Sequence, residues 1–69
     1  MKFNLVLESN VNGHHWKRKI VRTIEKDNIS QATLHFVENH FNNKVDDYNL
    51  GENSDIKVGN NFYTIEQEK

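Results

Sequence analysis

Asn12-Gly13 stands between two stretches of alternating polarity, an arrangement that few folds accommodate. The Asn-Gly pair readily takes the positive φ values of a tight β-turn. Upstream, residues 2–8 set Phe3, Leu5 and Leu7 against Asn4, Val6 and Glu8, the period of two of a half-buried strand. Downstream, residues 16–25 carry Trp16, Ile20 and Ile24 at even spacing, with the β-branched Val21 and Thr23 between them. Together these predict an antiparallel hairpin over residues 1–25. A two-residue turn sets Glu8 opposite Lys17, Leu5 opposite Ile20 and Ser9 opposite Trp16, so that Phe3, Leu5, Leu7, Trp16 and Ile20 share one face. The same register aims Arg18 and Arg22 at that face. They must then reach the sheet margin along their aliphatic stems, or a bulge must change the parity.

After Lys26-Asp27 the period changes. Asn28 with Gln31 three residues later is the amide form of a helix-start capping pair, and Ile29, Ala32, Phe36, Val37 and Phe41 follow at steps of three and four. A helix is predicted over residues 29–43, with Ser30, Gln31, Glu38 and Asn39 on its wet side. Asn42-Asn43-Lys44 ends it, because Asn tolerates the left-handed conformation and Lys suits the negative helix end. Residues 44–54 read as an acidic loop in which Val45, Tyr48 and Leu50 peg the chain to the core. Residues 55–66 read as a second hairpin around a three-residue turn, Gly59-Asn60-Asn61, with the chain fraying beyond. The prediction is one small α+β domain over residues 1–69, a two-layer ββαββ sandwich with a single helix packed on a small antiparallel sheet.

Composition narrows the function classes. With 69 residues and 35% hydrophobic residues, the chain has room for only a lean core. Cysteine is absent, which excludes disulfides and thiolate chemistry and makes a reducing cytoplasm the expected compartment. No apolar run is long enough to span a bilayer, and no signal-peptide pattern is predicted. Eleven asparagines and no proline fit the codon bias of an AT-rich phage or low-GC bacterial genome. Charge is divided unevenly. Residues 1–45 hold seven cations against four carboxylates, and residues 46–69 hold six carboxylates against two lysines, a formal +3 and −4.

The densest recognition chemistry lies in residues 12–19, Asn-Gly-His-His-Trp-Lys-Arg-Lys. Lys17, Arg18, Lys19 and Arg22 could hold phosphates with Trp16 stacking on a base, as single-strand binders do. A net charge of −1 and a pI near 6.4 count against an autonomous nucleic-acid domain, so this stands as the alternative. His14, His15, His35 and His40 do not form a metal-ligand pattern: His35 and His40 lie about 140° apart around a helix, and adjacent strand residues point to opposite faces. No metal or cofactor is predicted. Ser9, Ser30 and Ser54 sit at turns or caps, where hydroxyls bond the backbone, and no carboxylate pair flanks a cleft, so no enzymatic activity is predicted. Partner contact is expected from His15, Trp16, Lys17 and Lys19 in the hairpin and from Asp46, Asp47 and Tyr48 in the acidic loop, because aromatic anchors ringed by charge make interface hot spots. Trp16 could equally plug the core between sheet and helix.

The segment Ile-Glu-Lys-Asp-Asn-Ile-Ser-Gln-Ala-Thr-Leu-His-Phe-Val-Glu-Asn, residues 24–39, resembles the strand-to-helix passage of the Dmd-type antitoxins of T-even phages. The matching positions are Lys26, Asp27, Ile29, Ala32, Thr33, Phe36 and Glu38, and the layout extends upstream to a hairpin with an aromatic, here Trp16, in its second strand. The acidic loop and second hairpin have no counterpart in that family. The resemblance implies a small phage protein that binds a host protein, a toxin endoribonuclease or another defence protein, and blocks its functional surface. Homodimerisation is left open.

Overall fold

The first and last strands lie side by side in the middle of the sheet. In the computed structural model, which describes residues 1–11, 15–51 and 54–68 (the backbone alone for 9–11 and 15–17), the elements run β1 (Lys2–Val11), β2 (His15–Glu25), α1 (Ile29–His35), a π-helical turn (Phe36–His40), β3 (Asp47–Asn49), β4 (Asp55–Val58) and β5 (Asn61–Gln67). One antiparallel five-stranded sheet results, ordered β2-β1-β5-β4-β3, with the helix over one face. The α+β architecture predicted from the sequence is present. The acidic loop additionally supplies β3, so three strands follow the helix instead of two.

The first hairpin forms, in a different register. Glu8 pairs with Arg18, Ser9 with Lys17 and Asn10 with Trp16, one residue away from the two-residue-turn register, because the last pair is Val11 with His15. Between Leu5 and Val6 the pairing shifts again: Leu5 meets Arg22, Val6 meets Ile20, and Val21 is the extra residue of a bulge. The bulge resolves the conflict in parity. Arg18 and Ile20 fall on the helix-free face with Val6 and Glu8, whereas Arg22 and Ile24 stay on the helix side with Leu5 and Phe3. Ile20, predicted for the core, is thereby corrected to an exposed position. Arg22 keeps to the margin, as an edge strand permits.

The core is built as the two periodicities require. Phe3 and Leu5 of β1, Ile65 of β5 and Ile56 of β4 meet Ala32, Phe36 and Val37 of the helical segment. The Asn28 side chain accepts from the Gln31 N–H at 2.9 Å, capping α1 as the sequence predicts. The helix changes character before its predicted end. The Phe41 N–H bonds the Phe36 carbonyl five residues back, a widened turn that brings Phe41 against Tyr63, with ring centroids 4.9 Å apart. Asn42 and Asn43 follow at φ 52° and 63°, the left-handed stop. Among the described residues every buried polar side chain is satisfied: Thr33 Oγ1 donates to the Ile29 carbonyl, Thr23 Oγ1 to Asn4 Oδ1, and Ser54 Oγ to the Gly51 carbonyl. The β4–β5 turn has two residues, Gly59-Asn60, since Val58 pairs with Asn61, and Gly59 at φ 59° supplies the positive first angle. No helix among the described residues is long and apolar enough to cross a membrane.

Candidate interaction surface

The helix-free face of the sheet is closed by an arginine. Arg18 Nε lies 3.3 Å from Glu8 Oε1, and the same guanidinium bonds Glu66 Oε1. Glu8 lies in the row of Arg18 and Phe62, while Glu66 stands opposite Asn4, so the guanidinium crosses the intervening row of Val6 and Thr64. This accounts for Val6, which is 3% exposed on a face without a helix. Thr64 Oγ1 donates to Glu8 Oε1 at 2.9 Å, tying β2, β1 and β5 together through side chains. The hydrogen bond to Glu66 and that carboxylate's charge raise the Arg18 pKa above its ordinary value, against partial desolvation and with Glu8 adding to the rise.

The cationic run therefore does not act as one patch. Arg18 is engaged on the helix-free face, whereas Lys19, opposite Leu7, and Arg22, opposite Leu5, belong to the helix side and are exposed. The side chains of His15, Trp16 and Lys17 lie outside the described residues, as does His14 entirely, so the choice between core plug and partner anchor for Trp16 falls there too. Their backbone is informative. Pairing of β1 with β5 ends at Glu8 and Phe62, yet β1 and β2 pair on to Val11 and His15. Residues 9–11 and 15–17 thus form a two-stranded arm beyond the five-stranded sheet, and a strand of ten residues, about 33 Å long at ~3.3 Å per residue, accounts for most of the 37 Å long dimension.

Next to this arm, edge strand β2 presents Ile20 and Val21, 58% and 38% exposed, between Lys19 and Arg22. Sequence reasoning placed Ile20 in the core and missed this apolar step. The signal was there: Arg18, Ile20, Arg22 and Ile24 share one parity and cannot all face the same environment.

Asp46 and Asp47 lie at the opposite edge, about 19 Å away across four strand spacings. Asp46 Oδ2 accepts from the Gly59 N–H at 2.7 Å, and Asp47 Oδ1 from the Tyr48 N–H at 2.8 Å, while Tyr48 and Leu50 are exposed. Val45 alone of the three expected pegs packs against the core. Asp46 thus holds the β4–β5 turn, and Asp47 caps the N–H of its neighbour on the edge strand. The two expected contact groups, hairpin and acidic loop, are not brought together.

The described histidines are separate. His40 packs edge-on against Phe41 at 4.7 Å, half-buried as its place beside the apolar stripe predicts, and His35 lies beside Asn39. Among the described residues, no group of three or more His, Asp or Glu is placed to hold a metal ion. A groove of about 490 Å³ between the start of α1 and the sheet, floored by Phe3, Ile29 and Ile65, contains one charged side chain, Glu66, which Arg18 already holds. Compared with protein-family models, curated proteins and solved structures, the chain matches none.

Proposed function

We propose that this protein is a binding protein without catalytic chemistry that covers the functional surface of a partner protein, in the manner of a phage antitoxin directed at a host toxin or defence protein. The β2 edge and its arm are the face it presents. The observation that carries this reading is the exposed pair Ile20 and Val21 flanked by the cations Lys19 and Arg22, on an edge strand that continues into the arm bearing Trp16. An exposed apolar pair on a sheet edge is what a protein interface needs, and Lys19 and Arg22, beside it along the strand but on the helix side, call for acidic groups on the partner. Engagement of Arg18 by two carboxylates removes a phosphate ligand from the competing nucleic-acid reading and so favours a protein partner.

The test is calorimetric titration into purified toxin endoribonucleases and other defence proteins, beside a single-stranded RNA probe. A saturable complex that silences the partner supports the proposal. Absence of any protein complex, with RNA binding that falls steeply between about 50 and 200 mM salt, transfers the function to Lys17, Lys19 and Arg22 as a nucleic-acid-binding accessory.

A further inference from the structure

The two edges of the sheet differ in what they leave open. β3 is three residues long, whereas β2 runs for eleven with β1 as its one strand neighbour among the described residues. Residues 18–23 and Glu25 are exposed, so no helix covers that margin. Hydrogen-bond parity determines which backbone groups of β2 face outward. The Lys26 N–H bonds the Met1 carbonyl, and in the register that continues from there Ile24 with Phe3 and Arg22 with Leu5 are bonded pairs. The Glu68 N–H bonds the Lys2 carbonyl, so the even-numbered residues of β1 turn their main chain to β5 and the odd-numbered ones to β2. Leu7 therefore turns to β2 as Leu5 does, and past the bulge it meets Lys19. Thr23 and Glu25 on one side of the bulge and Arg18 on the other are left with outward main-chain groups that no strand takes up.

Given β2 as the partner-binding face, on which this rests, we infer that it takes an extended acidic segment of the partner protein as a sixth strand, with carboxylates beside Lys19 and Arg22 and an apolar side chain over Ile20. In such an addition the main-chain bonds supply affinity and alternate side chains supply the choice of partner. Charge excludes the nearest rival. β2 holds four cations and one carboxylate, so a second copy of it laid on the first brings like charges together across the pair, and these repel. The same cations keep the free edge from pairing with its own kind, and an acidic strand turns them into attraction. The bulge fixes the spacing. β1 spans Lys19 to Arg22 with three residues, Leu7, Val6 and Leu5, and a strand following that path on the outer side places its residues likewise. The segment thus reads carboxylate, apolar, carboxylate: the outer two share the helix side with Lys19 and Arg22, and the middle one meets Ile20 on the helix-free face.

The test is NMR on the whole chain with a synthetic peptide alternating glutamate and valine, beside a control with lysine in place of glutamate. The acidic peptide should bind saturably. Exchange of the Arg18, Thr23 and Glu25 amides with solvent should slow on binding, while Lys19, Arg22 and Ile24, already bonded to β1, change little. The lysine peptide should not bind. The double variant Lys19→Glu/Arg22→Glu, at two exposed positions, should weaken the acidic peptide about tenfold and admit the lysine one. No saturable binding, equal binding of both peptides, binding without the alternating protection, or protection at β3 in place of β2 overturns the inference. So does protection of the same amides in the chain alone that grows with its concentration, the sign of a second copy on the edge. Failure of the protein-binding reading looks different: the peptide adds as described, yet no toxin or defence protein forms a complex. A complex in which those three amides exchange freely keeps that reading and removes strand addition.

Discussion

Arg18 fixes the helix-free face at the scale of one residue. Its guanidinium spans Glu8 and Glu66 and shelters Val6, so Arg18→Ala should lower the thermal midpoint, with the loss shrinking as salt rises, because exposed ion pairs are screened. In the core, Phe36 is fully buried, and Phe36→Ala should cost about 3–5 kcal/mol by urea unfolding, enough to unfold much of so small a domain. His35 makes stability depend on pH. Its folded pKa lies below the unfolded value of 6.5, so between the two the unfolded chain holds more protons. The stabilising contribution is complete above 6.5 and is lost as pH falls through that window. Urea midpoints should therefore drop more on acidification for the natural chain than for His35→Gln. Much of this was beyond reading from residues. The clash in parity between Arg18 and Ile24 is visible in the sequence, but the bulge at Val21 that settles it leaves Arg18 facing a carboxylate, Glu66, placed by β5 more than forty residues away.

Elements with local signals were legible. Asn28 and Gln31 mark the start of the helix and Asn42-Asn43 its stop, because capping and left-handed turns use neighbours only a few residues apart. Asn28→Ala should cost about 0.5–2 kcal/mol, and Asn43→Val about 1–2 kcal/mol, since a β-branched residue resists φ 63°. Both are measurable by chemical denaturation. The widened turn at Phe36–His40 carries no such mark, for its function is to bring Phe41 to Tyr63, a partner in another element. β3 was also hidden. Its three residues are all exposed and gain strand geometry only by pairing with β4, so neither alternation nor propensity signals it.

At the scale of the molecule, the sheet carries the cations Lys19 and Arg22 on edge strand β2 and the carboxylates Asp46 and Asp47 at the β3 edge, while Glu66 of the central β5 is held by Arg18. The two signs were legible, but their separation was not, because it follows from β1 and β5 pairing at the centre, a contact between opposite ends of the chain. That order divides the residues expected to touch a partner into two distant sets, of which the proposed interface is the β2 side, where the exposed apolar step continues into the arm. Calorimetry of the natural chain and the double variant Ile20→Thr/Val21→Thr against a partner toxin or defence protein tests this assignment most directly, since threonine keeps the strand propensity while removing the apolar surface. The account predicts a saturable 1:1 complex that the double variant weakens about tenfold or more with its unfolding midpoint nearly unchanged. Full affinity in the double variant, together with loss of binding on Tyr48→Ala, would place the interface at the acidic edge and contradict it.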